Sequence, residues 1–348
     1  MDIMDSDVPL SSTIQKVAIL YNLKKGVSAA TKDAEAEYDS VETVDAIRAV
    51  FERGGLDVVP IEADEYLPEK LHGERFDIAF NIAEGLSGRG REAQVPALLG
   101  MMGIPYTGSD ETALCVALDK ALTKRLLATY RVRVPKSRVL KPGQTPRAVG
   151  LSYPVIVKPN CEGSSKGIGE IAIARDAGEL HALVSRNLSL YGEEMLAEEY
   201  IEGRECTVGL IGNGPDARIF EPMEIVFDRP TEAGYHIYSY PVKQDYTRFV
   251  HYECPMTCTQ AQRTEILRMA RKAFEALGCR DFARVDFRLD GEGRAYFIEI
   301  NPLPGLAPGY SDYPMLAQFC GVSYDELVRG VLDAAACRLG MTVAWGGR

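Results

Sequence analysis

An α/β chain that opens on a parallel sheet covered on both faces is what the sequence predicts, and three observations carry the prediction. Three short apolar runs, KVAILYN at 16–22, LDVVPIE at 56–62 and FDIAFNI at 76–82, are separated by segments with helical spacing. The third run is apolar almost throughout, as strands buried on both faces are. Near the end, FARVDFRLDGEGRAYFIEINPLPG at 282–305 reads as two strands around a Gly-rich turn, which makes the later part α+β in character.

The elements follow in order. Residues 1–13, MDIMDSDVPLSST, read as a disordered lead-in; they lack the basic and apolar regions of a signal peptide. After the first strand a helix is expected at about 38–53, where Val41, Val44, Ile47, Val50 and Phe51 recur and Gly54 and Gly55 stop it. A further helix at 91–102 ends at Gly103. A second unit opens near DKALTKRLLATY, with strands at 153–158, 170–174, 194–201 and 205–212 and a helix at about 176–190. From about 213 the chain is strand-rich again, with a long Tyr-rich loop at 236–252, a helix at about 257–277, the hairpin, and an amphipathic helix from 324. The resulting division is a lead-in at 1–13 and units at 14–115, 116–212 and 213–348.

Composition bounds the function. With 39 basic against 50 acidic residues the net charge is −11, which argues against nucleic-acid and anionic-membrane partners while leaving room for a local basic pocket. No apolar run approaches the roughly 18 residues of a membrane span. The eight cysteines are scattered without a CxxC pair, which argues against zinc and for reduced thiols in a cytoplasmic protein.

The hairpin carries the first chemical signal. Strand side chains alternate, so Arg284, Asp286 and Arg288 share a face, and Glu299 and Asn301 share one with Phe297. Two carboxylates and an amide oxygen suit Mg²⁺, which binds through few protein ligands plus substrate phosphates. A solvated face with a salt bridge is the plainer reading. The second signal is VIVKPNCEGSSKGIG at 155–169, where Lys158 ends a strand and a loop with Gly163, Ser164 and Ser165 follows. Small residues let backbone N–H groups approach phosphate oxygens. It is not a Walker A loop, which needs GxxxxGK[ST], and no GxGxxG follows the first strand as a dinucleotide site requires.

Taken together, the chain resembles the ATP-grasp superfamily, and within it the D-alanine–D-alanine ligase family. IPYTGS at 104–109, ALDK at 117–120, VIVKPNCEGSSKGI at 155–168, MLAEEYIEGRECTVGLI at 195–211, ALGC at 276–279, ARVDFRLD at 283–290 and FIEINPLPG at 297–305 carry the resemblance in family order. It implies the ATP-grasp fold, in which antiparallel sheets of the central and C-terminal domains sandwich ATP. It also implies a carboxylate–amine ligase that joins two amino acids through an acyl phosphate. By similarity Lys120 and Lys158 hold the ATP phosphates, Gly163, Ser164 and Ser165 form the loop over them, and Lys243 reaches the γ-phosphate. Glu198, Glu199 and Ile201 meet the adenine and Glu205 the ribose. Asp286, Glu299 and Asn301 match the ligands of two Mg²⁺ ions, for which Mn²⁺ is a substitute. Arg284 and the backbone at Gly305 stabilise the tetrahedral oxyanion, and Ser164 and Lys243 count with them as catalytic residues. The resemblance favours a homodimer.

Departures fall where substrates bind. The Ser-x-Glu after the family's first strand has no clean match, leaving Glu35, Glu37 or Asp39 as stand-ins. The His-Gly segment is replaced by FNIAEGLSGRGREAQVP, with Glu84, Arg89 and Arg91; the two arginines either fork onto a substrate carboxylate or are surface charges. In NPLPGLAPGYSDYP, Tyr310 and Ser311 stand where the second substrate's carboxylate would be held. Three functions remain: a D-alanine–D-alanine ligase, a ligase of other amino acids, and an ATP-binding regulatory protein without ligation.

Overall fold

The computed structural model of the protein describes residues 12–25, 37–142, 150–162, 172–229, 234–239, 242–243 and 245–346. The lead-in falls outside them except at its end, where Thr13 is not disordered. Strand β1 (Thr13–Ile14) pairs in parallel with β15 (Thr342–Val343).

Strand β2 (Lys16–Tyr21) is the centre of a three-stranded parallel sheet, between β3 (Asp57–Glu62) and β4 (Ile78–Asn81). Alternation sends Val17 and Ile19 to one face and Ala18 and Leu20 to the other. The first pair packs with Val44, Ile47 and Phe51 of helix Val41–Arg53. The second packs with Leu67, Leu71 and Leu99, from helices Leu67–Gly73 and Gln94–Met102. Both faces are covered, as the unbroken apolar pattern requires.

Helices Glu111–Leu118 and Lys120–Thr129 lead out of this unit. Asp110 and Asp119 cap them, accepting from the N–H groups of Ala113 at 3.0 Å and Leu122 at 2.9 Å. A four-stranded antiparallel sheet follows, built from β5 (Ser137–Leu140), β6 (Val155–Pro159), β7 (Ile173–Ala174) and β8 (Met195–Glu199) in the order β5-β8-β6-β7. Helix Ala177–Tyr191 packs Leu180, Leu183 and Val184 against Val155, Val157 and Ala197 of this sheet.

The second antiparallel sheet has six strands. β9 (Arg204–Ile211) lies at its centre with β10 (Arg218–Ile219) paired to its end; β11 (Met223–Phe227) and β12 (Val250–Glu253) flank one side, β13 (Phe282–Leu289) and β14 (Ala295–Asn301) the other. This corrects the boundary at 212. β9 pairs with β13 along its whole length, from Ile211 opposite Phe282 to Arg204 opposite Leu289. Cys206, Val208 and Leu210 bury themselves with Val285 and Phe287, so the core draws β9 to the hairpin. The Tyr-rich segment is not one loop either: it contains a helical turn, Tyr246–Phe249, and most of β12. No helix among the described residues is long and apolar enough to cross a membrane.

One buried charge ties the parallel unit to the six-stranded sheet. Asp281, 0 % exposed and at φ 65°, accepts from Gly108 N–H at 2.8 Å, Asn213 Nδ2 at 2.8 Å and the Arg338 guanidinium at 2.8 and 3.0 Å. Asp281→Asn keeps the shape and tolerates the left-handed backbone. It turns one acceptor into a donor facing donors, so it should cost about 2–3 kcal/mol, read as a lower urea midpoint with unchanged slope.

Candidate active site

The hairpin delivers its charged face, with one correction. Asp286 lies directly across from Glu299, and Arg284 across from Asn301. The register then shifts, so that Phe287 opposes Phe297 and Ile298 is an extra residue, a β-bulge. Strict alternation would put Phe297 beside Glu299 and Asn301. The bulge lets Ala295, Phe297 and Ile300 enter the core while Glu299 and Asn301 stay on the opposite face.

The lysines arrive by backbone clamping. Lys120 N–H donates to Asn160 O at 3.1 Å and Ala121 N–H to Asn160 Oδ1 at 3.0 Å, while Asn160 Nδ2 donates to Asp119 at 2.8 Å. These bonds fix the start of helix Lys120–Thr129 against the end of β6, which carries Lys158. Lys120 Nζ donates to Glu162 O and stands 3.4 Å from Glu299. Lys158 pairs with Glu198 at 3.2 Å. Burial alone would raise the Glu299 pKa, but Lys120, Lys158, Lys243 and Arg284 outweigh it and hold the carboxylate well below its usual range.

Arg284 is buried and forks onto Asp286 through Nε at 2.9 Å and a terminal nitrogen at 2.8 Å. Burial opposes its charge, and Asp286 more than restores it. Asp286 also accepts from Thr207 Oγ1 at 2.6 Å, and Asn301 Nδ2 lies 3.4 Å from it. A carboxylate offers about four lone-pair positions; these four donors occupy those of Asp286, so an ion there would take the place of the long Asn301 contact, while Glu299 and the Asn301 amide oxygen keep capacity toward it. Among the described residues no three His, Cys, Asp or Glu side chains gather to hold a metal. Two carboxylates and an amide completed by phosphate oxygens is a donor set that suits Mg²⁺ rather than zinc.

Two adjoining cavities meet at this face. The smaller, of about 80 Å³, is lined by Lys158, Glu198, Glu199, Ile201, Glu205, Asp286, Arg288 and Glu299. Its walls come from both antiparallel sheets. Arg288 organises it, donating to Ile201 O at 2.7 Å and Glu205 at 2.6 Å. Gly203, at φ 142°, permits this approach, because a Cβ there would fall 2.0 Å from Leu289 O. Glu199 accepts from Ser152 N–H at 2.8 Å. The larger cavity, about 380 Å³ and within the range of small-molecule sites, is lined by Glu37, Glu84, Lys120, Lys243, Arg284, Glu299, Asn301, Gly305, Tyr310 and Ser311. Lys243 lines both cavities, its Nζ 4.9 Å over the Tyr238 ring. Ser311 precedes helix Asp312–Phe319, and its Oγ accepts from Ala307 N–H at 3.2 Å.

The arginines of the 84–94 segment lie elsewhere. Neither lines either of these two cavities. The Arg89 side chain is 68 % exposed and pairs with Asp119. Arg91 is buried and forks onto Glu37 at 2.7 Å, also meeting Cys161 O at 2.9 Å and Glu162 at 3.2 Å. Burial rules out the surface-charge reading for Arg91, and the partners it meets are protein groups. Gly163, Ser164, Ser165 and Glu35 lie outside the described residues.

Sequence reasoning missed four residues here. Lys124, 2 % exposed, pairs with Glu198 at 2.7 Å and donates to the bulge carbonyl of Ile298 at 2.6 Å. Burial pushes its pKa down to about 8 against the pull of Glu198. Its place in KALTKRLL, on the helix that Lys120 begins, was the available signal. Asp312 accepts from the hydroxyls of Tyr238 at 3.0 Å and Tyr252 at 3.2 Å. Glu92 lines the larger cavity, and Arg288 was placed on its face without a role.

The comparisons with known proteins agree with this geometry. The family model described as D-ala D-ala ligase C-terminus matches residues 137–333. The D-alanine–D-alanine ligase of Bordetella petrii is 32% identical over 333 residues, 95% of each chain. That of Cupriavidus metallidurans is 35% identical over 324 residues, 92% of this chain and 94% of its own. A D-alanine–D-alanine ligase from Bacillus anthracis, solved with ATP, superposes with a TM-score of 0.72 at 21% identity over 94% of this chain and 98% of its own, which establishes the ATP-grasp fold. With a family model over more than half its length and relatives of this identity end to end, the chain belongs to the D-alanine–D-alanine ligase family.

Proposed function

We propose that the protein is an ATP-dependent ligase that joins the carboxylate of one amino acid to the amine of another, releasing ADP and phosphate. The observation that carries this reading is the joining of two cavities across a single face bearing Arg284, Asp286, Glu299 and Asn301. A nucleotide cleft opening directly into a second chamber fits phosphoryl transfer to a bound acid.

Asp286, Glu299 and Asn301 would hold Mg²⁺, which when bound offsets phosphate charge. Lys120, Lys158 and Lys243 supply positive charge around the same point, where the transferring phosphoryl group becomes most anionic. Glu198, Glu199, Ile201 and Glu205 line the nucleotide side. A substrate carboxylate oxygen attacks the γ-phosphorus and ADP leaves; the second amine then attacks the acyl carbon, phosphate departs and a proton is released. Arg284 and the Gly305 backbone sit where the oxyanion forms. Exclusion of water at this step would protect the acyl phosphate from hydrolysis. Tyr310 and Ser311 border the second substrate. The resemblance further supports a cytoplasmic homodimer, which sedimentation would check by a mass twice that of the chain.

The test is phosphate release from ATP and Mg²⁺ across pairs of D- and L-amino acids, with products read by mass spectrometry. Release accompanied by a dipeptide is expected. Silence with every pair would leave an ATP-binding protein without ligation.

A further inference from the structure

The N-terminal wall of the larger cavity is more acidic than one amino group requires. Glu37, Asp39, Glu42, Glu84 and Glu92 all line it, with Lys24 as the cation on that wall. Their partners divide them. Glu37 is answered by Arg91, which also pairs with Glu162 and acts on Glu84 and Glu92 only through space, with no bond to either among the described residues. Lys24 acts on Asp39. Glu92 is 8 % exposed, yet neither it nor Glu84 makes a hydrogen bond or ion pair among the described residues. Across the cavity, Lys120 is engaged by Glu162 O and Glu299, Arg284 by Asp286, and Lys243 stands over Tyr238.

The arrangement is held in place. Gly85 N–H donates to Asn22 Oδ1 at 2.9 Å, and Asn22 Nδ2 donates to Ala63 O at 2.7 Å. Gly85 sits at φ 80°, where a Cβ would fall 2.0 Å from Arg91 O, so only glycine closes this loop. Glu84 and the Arg91–Glu92 turn are thereby fixed against each other. Burial pushes Glu92 up to about 8 and Glu84 well above the usual carboxylate range; Glu37 raises both and Glu92 raises Glu84 further, with Arg91 offsetting part of each and Lys120 part of the Glu92 shift. Two partly desolvated, unpaired carboxylates are costly in an apo protein, and the cost is relieved by cations that arrive with a ligand.

An amino acid offers one ammonium, which answers one carboxylate. Its own carboxylate is taken to the phosphate end. We propose that the amino acid held in this cavity is a basic one, whose side-chain ammonium or guanidinium seats against Glu84 and Glu92 together with the α-ammonium. This rests on the ligase reading above and narrows its substrate class. Alanine would leave a carboxylate facing a methyl group. Sites built around buried polar groups reject analogues that leave them unpaired.

The test measures ADP release with ATP and Mg²⁺ for diaminopropionate, ornithine, lysine and arginine, in both configurations. Each is offered alone and paired with D-alanine, beside the neutral isosteres aminobutyrate, norvaline and norleucine. The basic set should exceed its isosteres by about 100-fold or more in kcat/KM. Glu92→Gln should lower kcat/KM for the preferred basic substrate by at least about 10-fold, chiefly through KM, and so narrow the gap between the basic compounds and their neutral isosteres. Calorimetric binding of the basic amino acid to the parent and to the variant reads the same loss without turnover. If Glu92→Gln does not fold, by circular dichroism, Glu84→Gln carries the same expectation. Equal turnover of basic and neutral compounds overturns the inference and leaves the ligase standing. No ADP release with any amino acid overturns both.

Discussion

Glu299→Gln should fold and yet form ADP about 1,000-fold more slowly than the parent, or worse. The side chain keeps its shape, so β14 keeps its register opposite Asp286. What disappears is the negative charge among Lys120, Lys158, Lys243 and Arg284, the groups that hold Glu299 ionised. Each of three keeps another partner: Lys158 has Glu198, Arg284 has Asp286 and Lys120 has Glu162 O. The stability loss should therefore stay near about 1–2 kcal/mol. The function loss is larger because a carboxylate ligand and a neutral amide differ most where phosphate charge is greatest. Titrating Mg²⁺ to saturation separates weak metal binding from lost chemistry. Near-normal ADP formation at saturation would remove Glu299 from the metal assignment.

Arg284→Lys should split the two half-reactions. Alanine is the wrong replacement, since it would strand Asp286 as an uncompensated charge in a buried site. Lysine retains the charge but not the fork. Two of the three guanidinium nitrogens are committed to Asp286, and the third lies 3.9 Å from Asp312, on the side of the larger cavity. Lysine satisfies Asp286 and leaves that third direction empty. ATP should bind within about threefold of the parent, while dipeptide formed per ADP falls and overall kcat drops by about 100-fold to 1,000-fold. The ratio of dipeptide to ADP decides the matter. Equal losses in both would place Arg284 at the phosphoryl step instead of at the oxyanion.

How much of this was legible beforehand depended on periodicity. The three apolar strands and the helix at Val41–Arg53 came from spacing alone, because burial on both faces leaves few ways to write such a sequence. The hairpin's face was right for Arg284, Asp286, Glu299 and Asn301 and wrong for Phe297, because a bulge breaks a period of two without any mark in the residue types. The membership of β9 was hidden for a related reason: strand order belongs to long-range packing, which local pattern does not encode. Arg91 stayed open between a substrate fork and a surface charge because local pattern does not show its partners, and here Glu37 and Glu162 draw it inside. Lys124 and Glu92 look like ordinary helix-face charges, and only the fold brings them to the cleft.

The bulge at Ile298 has a mechanical meaning. Its carbonyl receives Lys124, and Lys124 in turn grips Glu198 on the other sheet, so the two jaws of the cleft are pinned together at the back. A pinned pair of jaws opens like tweezers. The far tips travel furthest, and the point beside the pin travels least. Glu299, the next residue along, sits at that quiet point. The entrance can therefore gape to admit a nucleotide while the carboxylate beside the pin hardly shifts, and each closing stroke returns the phosphates to the same anvil.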